Sequence, residues 1–133
     1  MLGKALVSAG RPADAVEPLR MAVAAETTDV DRLLAIARAL MENGDFGEAE
    51  QFYLTALEKG PRNVSAMSDY GNFLLRQGRA AEAAEQYRNA VAENPNDAPA
   101  HNGLAASLSN LGQYEDALIP AQAAVDLRPD YVD

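Results

Sequence analysis

The sequence contains no cysteine, no tryptophan and a single histidine among its 133 residues. Without cysteine the chain can form neither a disulfide framework nor a thiolate metal site. It also has no Walker, G-x-G-x-x-G, H-E-x-x-H or G-x-S-x-G pattern, and these are the motifs that most often signal phosphate, metal or nucleophilic chemistry. We therefore expect a non-enzymatic chain that uses no cofactor and no metal.

Long apolar runs and clusters of basic residues are also missing. No apolar run approaches the roughly 18 residues that a membrane-spanning helix needs, and "MLGKALVSAG" at the start is not a secretory signal. The formal charge of −9, from 20 acids against 11 bases, argues against a phosphate-backbone binder. We expect a soluble chain that binds neither nucleic acid nor membrane. The cytoplasm is the expected compartment, although the absence of cysteine fits a bacterial periplasm equally well.

What the sequence does contain is a repeat. The stretches "AGRPADA", "NGDFGEAE", "QGRAAEAA" and "LGQYEDAL" resemble one another, and a period of this size predicts a repeat architecture. Small residues and prolines follow the same period. Successive members of each column lie 34 residues apart: Gly10, Gly44, Gly78 and Gly112, then Ala15, Ala49, Ala83 and Ala117, then Pro61, Pro95 and Pro129.

Between these positions the apolar residues recur at helical spacing, so each repeat is predicted to be a pair of helices. Each glycine falls where the first helix must end in a left-handed conformation, and each proline falls beyond the second helix. Acids such as Glu48 and Glu82 suit the first turn of a helix. First helices are predicted near 1–9, 30–43, 64–77 and 98–111, and second helices near 12–25, 46–59, 80–93 and 114–127.

Some prolines fall inside predicted helices. Pro12 and Pro99 lie in a first turn, where a missing backbone N–H does little harm. Pro120 lies in the middle of the last predicted helix, which predicts either a kink or a helix boundary different from 114–127.

These features resemble the tetratricopeptide repeat (TPR) family, whose 34-residue unit is a helix–turn–helix. The Leu-Gly pair of the family signature stands here as "LG", "IA", "YG" and "LA", beginning at Leu2, Ile36, Tyr70 and Leu104. The resemblance implies an all-α, right-handed superhelical solenoid of about eight helices. It also implies one domain over 1–133, with repeats near 1–29, 30–63, 64–97 and 98–131. The shortened first repeat and the final "DYVD" suggest a piece of a longer protein.

In this family the first helices line a concave groove that receives a peptide or partner protein, so the resemblance implies this function here. An asparagine amide both donates and accepts, which suits an extended peptide backbone, and two arginines could take a carboxylate. The alternative is that these residues are only a solvated helix face. The candidate partner-binding residues are Leu34, Arg38, Asp69, Asn72, Leu75, Arg76 and Asn102.

Two further interpretations stay open, and one is disfavoured. The chain could be the substrate-recruiting TPR region of a larger transferase, or a self-association unit that forms homo-oligomers through exposed terminal repeats. The subtype that grips the acidic C-terminal tail of heat-shock chaperones needs Lys, Asn, Asn, Lys and Arg at set groove positions. This sequence has instead Leu34, Arg38, Asp69, Pro99 and Gly103.

Overall fold

The computed structural model describes residues 29–127, and this part of the chain is helical with no strand. The predicted all-α class is therefore confirmed. Each helix lies within one residue of its predicted bounds, whereas the helices predicted near 1–9 and 12–25 lie outside the described residues, as do Gly10 and Pro12. The helices are α1 (Val30–Glu42), α2 (Phe46–Lys59), α3 (Val64–Arg76), α4 (Ala80–Glu93), α5 (Ala98–Asn110) and α6 (Tyr114–Leu127).

The chain divides into two compact units, Met1–Pro61 and Arg62–Asp133. In the first unit α1 packs on α2. In the second unit α3 packs on α4, α4 on α5 and α5 on α6, and α3 also touches α5. The division falls next to a predicted repeat boundary, at 63 and 64, and the single domain over 1–133 stays a prediction.

The turn inside each helix pair is built on a glycine with positive φ. Gly44, Gly78 and Gly112 have φ values of 89°, 79° and 81°, a region that costs glycine little because it has no Cβ. The N–H of Asp45, the residue after Gly44, donates to the carbonyl oxygen of Leu40, five residues earlier, at 2.9 Å, as in a Schellman turn. The predicted role of these glycines is confirmed for all three described repeats.

The first helix of each described pair begins with a side-chain cap that the sequence analysis missed. Asp29, Asn63 and Asp97 accept hydrogen bonds from backbone N–H groups three residues later, at 3.4, 2.9 and 3.1 Å. Each cap satisfies a donor that has no partner within the helix. These residues are also 34 positions apart, so the same period could have revealed them.

The second helices begin differently. No side-chain cap is present at the start of α2 or α4, whose first turns instead carry Glu48 and Glu82. In α4, Arg79 Nη2 donates to Glu82 Oε2 at 2.6 Å. The predicted acidic first turns are thus confirmed, and they place negative charge where the helix dipole favours it.

Helix α6 continues through Pro120, so the predicted alternative of a different boundary is wrong. Proline lacks the N–H that would bond to the carbonyl of Asp116, and the hydrogen bonds on either side keep the helix together. The proline ring is buried, so it contributes apolar packing at this position. A kink stays a prediction. Pro99 lies in the first turn of α5, as predicted.

Candidate partner-binding surface

The second unit presents one polar face on two neighbouring first helices. Asn72 and Arg76 are exposed on α3, Asn102 is exposed on α5, and Asp69 and Leu75 are half-buried on α3. Their spacing of three to four residues places the α3 members on one side of that helix. The opposite sides are core, because they carry the buried residues Tyr70, Phe73, Leu74, Leu104 and Leu108.

The structure thus brings five of the seven predicted residues onto two adjoining helices of one unit. The other two, Leu34 and Arg38, belong to α1 in the first unit. Arg38 is exposed, as a binding residue must be. Leu34 is only 1% exposed and therefore offers a partner almost no surface in this structure, because it is part of the core of its unit. Binding at each of the seven positions stays a prediction.

The polar face of α3 and α5 rests on one aromatic ring. Tyr87 of α4 is 5% exposed and lies between Gly71 of α3 and Gly103 of α5. A Cβ atom placed on Gly71 would lie 2.8 Å from Tyr87 Cε2, and one on Gly103 would lie 2.3 Å from Tyr87 Cε1. The ring fills the space that side chains at both positions would need, so three helices meet at a close approach. The sequence analysis named Gly103 only as a departure from the chaperone-tail subtype and did not predict this contact with Tyr87.

Burial raises the pKa of the Tyr87 phenol to about 12, and the carboxylate of Asp69 adds to the shift. Both causes disfavour the phenolate, since it would be a charge in an apolar site beside another negative charge. The phenol is therefore a neutral group at ordinary pH. The half-buried Asp69 carboxylate is therefore close enough to Tyr87 to contribute to this rise in pKa.

The single histidine, His101, has a structural contact. Its Nε2 lies 2.8 Å from the carbonyl oxygen of Pro95 and donates to it, which ties α5 to the loop before it. Arg62, which lies just before α3, donates from Nε to Oε1 of Glu93, the last residue of α4, at 2.9 Å. Between residues 29 and 127 the structure has no group of three or more metal-ligating side chains. In the same range, no helix has both the length and the apolar character that a membrane span requires.

Helix pairs of 34 residues with a positive-φ glycine at each turn and close helix contacts at small residues define a TPR-like domain. The family described as the "Cilia and flagella-associated protein 70 middle TPR-like domain" matches residues 33–132, and the chain belongs to this family. The predicted TPR resemblance is confirmed.

Individual proteins agree with this assignment. The peroxisomal targeting signal receptor of Kluyveromyces lactis is 30% identical over 74% of this chain. The Hsp70-Hsp90 organizing protein 1 of Glycine max is 31% identical over 53% of it. The matched regions are only 18% and 12% of those two proteins, so the chain spans a minor part of their length. The Sgt2 TPR domain from Aspergillus fumigatus has the same fold, with a TM-score of 0.73 at 21% identity, covering 78% of this chain and 69% of that one.

Proposed function

We propose that this chain is a protein-interaction module that holds an extended peptide segment of a partner protein on the exposed face of α3 and α5. The observation that carries the proposal is the exposure of Asn72 and Asn102 on two neighbouring first helices. The family assignment supports it, because relatives of this chain are named as a targeting signal receptor and as a chaperone-organizing protein.

Amide side chains suit a peptide backbone. Each asparagine offers two N–H donors and one acceptor oxygen, which match the alternating C=O and N–H groups of an extended chain. Asp69 and Arg76 add one charge of each sign to the α3 side of the face. The face is therefore close to neutral although the whole chain carries −9, and it favours a ligand recognised through its backbone over a strongly charged one.

The proposed ligand is not the acidic tail of a heat-shock chaperone, despite the similarity to an Hsp70-Hsp90 organizing protein. Two positions that need basic side chains in that subtype are Pro99 and Gly103. At Gly103 a Cβ would lie 2.3 Å from Tyr87 Cε1, so the backbone there has no room for an arginine side chain. This contact therefore excludes a basic side chain at position 103, which the interaction with an acidic tail needs.

The proposal is tested with peptides selected from a displayed random library on the 133-residue chain. The double variant Asn72→Ala and Asn102→Ala should weaken the selected peptides about tenfold or more, because each lost hydrogen bond is worth about 0.5–1.5 kcal/mol. Asn89→Ala is the matched control, since Asn89 is also exposed but lies on the second helix α4. Equal binding by the double variant and the control would contradict the assignment.

Arg76 of the same face forms a second arm of the experiment. Arg76→Ala should weaken a peptide with a free C-terminal carboxylate more than its amidated counterpart, because its guanidinium group is proposed to bind the carboxylate. A parallel loss for both peptides would remove the carboxylate role and leave the backbone role in place.

We further propose that the module is cytoplasmic and that it has no catalytic activity and binds neither nucleic acid nor membrane. If the module belongs to a longer transferase, the same face would recruit substrate, and the length of the full reading frame separates these cases. Homo-oligomers formed through terminal repeats stay a prediction that light scattering on the isolated chain would test.

A further inference from the structure

The ring of Tyr87 ends close to the exposed face of α3 and α5, which we call the peptide face. A Cβ atom on Gly71 would lie 2.8 and 2.9 Å from Tyr87 Cε2 and Cζ, and one on Gly103 would overlap Cε1 and Cζ. The two glycines therefore flank opposite edges of the outer half of the ring. Because Tyr87 belongs to α4, its ring enters the gap between α3 and α5, and the hydroxyl, which is attached beyond Cζ, points away from α4.

The surroundings of this hydroxyl place it on the polar side of the two helices. Burial and, after it, the carboxylate of Asp69 raise the pKa of Tyr87, so the outer end of the ring lies near a residue of the peptide face. Asp69 and Gly103 are both half-buried, so the groups around the tip of the ring are partly open to solvent. The Tyr87 hydroxyl therefore lies at the floor of the peptide face, with the buried ring beneath it.

Gly103 keeps this part of the floor uncovered, because it has no side chain. It holds the position that Asp69 occupies 34 residues earlier, in the preceding repeat. We call Tyr87, Gly103 and Asp69 the floor cluster. The exposed amides of Asn72 and Asn102 would hold a peptide backbone above it. In an extended chain successive side chains point to opposite sides, so one side chain of that peptide would point down to the floor cluster.

Charge decides which side chain the floor cluster would accept. A neutral phenol can donate its proton or accept at its oxygen. The nearby Asp69 carboxylate attracts the phenol proton, which leaves the oxygen lone pairs of Tyr87 to a ligand. The same carboxylate would repel an acidic side chain of the peptide and attract an N–H or O–H donor. The floor cluster therefore favours a hydrogen-bond donor over a carboxylate.

We propose that Tyr87 is a specificity-determining residue of the peptide face, whose hydroxyl accepts a hydrogen bond from a donor side chain of the bound peptide, such as lysine, glutamine or serine. This inference rests on the function proposed above, since it needs a peptide on that face. It adds selectivity for sequence, because the two asparagines bind main-chain groups that every peptide has. It also gives the hydroxyl a role, since phenylalanine would fill the same space without placing a polar atom in a mostly buried position.

Paired tyrosine variants test the hydroxyl. Tyr87→Phe keeps the ring and should weaken a peptide selected on the wild-type chain by about three- to tenfold, because one hydrogen bond is lost. Tyr70→Phe is the matched control. Tyr70 is 6% exposed and stacks on Phe73 on the core side of α3, so removing its hydroxyl should leave peptide binding unchanged. Calorimetric titration measures the affinities, and urea denaturation at neutral pH should show that both variants remain folded.

A peptide scan then identifies the side chain that Tyr87 contacts. Each residue of the selected peptide is replaced by alanine, and each product is titrated against the wild-type chain and against Tyr87→Phe. One replacement should weaken binding to the wild type but have little effect on Tyr87→Phe, since groups in contact are coupled. The residue at that position should carry an N–H or O–H donor. Glutamate there should bind the wild type more weakly than alanine does, and Asp69→Asn should reduce this penalty.

Nuclear magnetic resonance gives a readout that does not depend on affinity. The chain is isotope-labelled at the Cζ carbon of tyrosine, and the Tyr87 signal is assigned by its loss in Tyr87→Phe. Saturating peptide should shift the Tyr87 signal and leave the Tyr70 signal in place. Alanine at the coupled peptide position should remove most of the shift.

Three outcomes would overturn the role of Tyr87: equal losses for Tyr87→Phe and Tyr70→Phe, no coupled peptide position, or a coupled position that carries a carboxylate. The variant with Asn72→Ala and Asn102→Ala separates this inference from the proposed function. If that variant loses the peptide while Tyr87→Phe binds like the wild type, the peptide face stands and the role of Tyr87 fails. If it binds normally while Tyr87→Phe binds weakly, the assignment to the two asparagines fails and the contact with Tyr87 stands. Failure to select any peptide would overturn both.

Discussion

Helices α4 and α6 hold the same place in consecutive repeats, yet corresponding residues on one side of each helix have opposite environments. Tyr87 and Ala84 of α4 are 5% and 1% exposed, whereas Leu118 of α6 is 67% exposed. The difference arises because α5 packs on α4, while none of the described helices packs on the equivalent side of α6. In a stacked repeat, a position is therefore core or surface according to its neighbour, and apolar character alone does not decide which.

The largest expected effect comes from truncating Tyr87, which is buried on α4. Tyr87→Ala should lower the free energy of unfolding by about 3–5 kcal/mol, because it leaves a cavity between α3 and α5. Leu118→Ala, at an exposed position of α6, should change it by no more than about 0.5 kcal/mol. Urea denaturation measures both. Similar losses of stability for the two variants would show that Tyr87 and Leu118 do not differ in burial as described.

Alkaline pH should distinguish the buried tyrosine from exposed ones. The folded-state pKa of Tyr87 is about 12 against an ordinary value of 10.0, so the unfolded chain loses this proton first as the pH rises. Stability should therefore fall between pH 10 and 12, by about 2–3 kcal/mol at most from this group. Tyr87→Phe should remove that part of the decline. Parallel stability curves for the wild type and Tyr87→Phe would rule out a buried, titrating phenol.

A smaller effect is expected at the glycine that the ring contacts. Gly103→Ala should destabilise the fold by about 1–3 kcal/mol through overpacking against Tyr87. Gly47→Ala is the control, because a Cβ there meets no atom within 4 Å, and it should be neutral or stabilising by up to about 1 kcal/mol. In a Tyr87→Ala background the penalty of Gly103→Ala should shrink, since the two residues are in contact. If Gly103→Ala cost as much stability in the Tyr87→Ala background as in the wild type, contact with Tyr87 would not be the source of the strain.

Most of the described fold was predictable because it is periodic. The three described turns depend on a residue that tolerates positive φ, and glycine at fixed spacing indicates such a residue without any alignment. The helix bounds follow directly from those turns. Pro120 was harder to interpret, since the loss of one hydrogen bond does not end a helix that is packed into its unit. The capping residues Asp29, Asn63 and Asp97 also recur every 34 residues, so the period could have predicted them as well.

The candidate surface was only partly predictable. Register assigned Asn72 and Asn102 to one side of their helices, and both are exposed. Register could not predict that Leu34 is buried, because accessibility depends on which neighbouring groups cover a side chain. Nor could it reveal that Tyr87 lies against Gly103, since that contact joins positions that no repeat column relates. Contacts of this kind depend on side-chain size in three dimensions, and the period records only sequence spacing.

The glycine turns also constrain how such a chain can change in length. Each turn joins its two helices through about three residues, and its hydrogen bonds connect fixed positions on both sides of the glycine. An inserted residue at this point would rotate the second helix by roughly 100° relative to the first and expose its buried side. Whole 34-residue units can be gained or lost without that rotation, so copy number is the form of length variation that this architecture accommodates most readily.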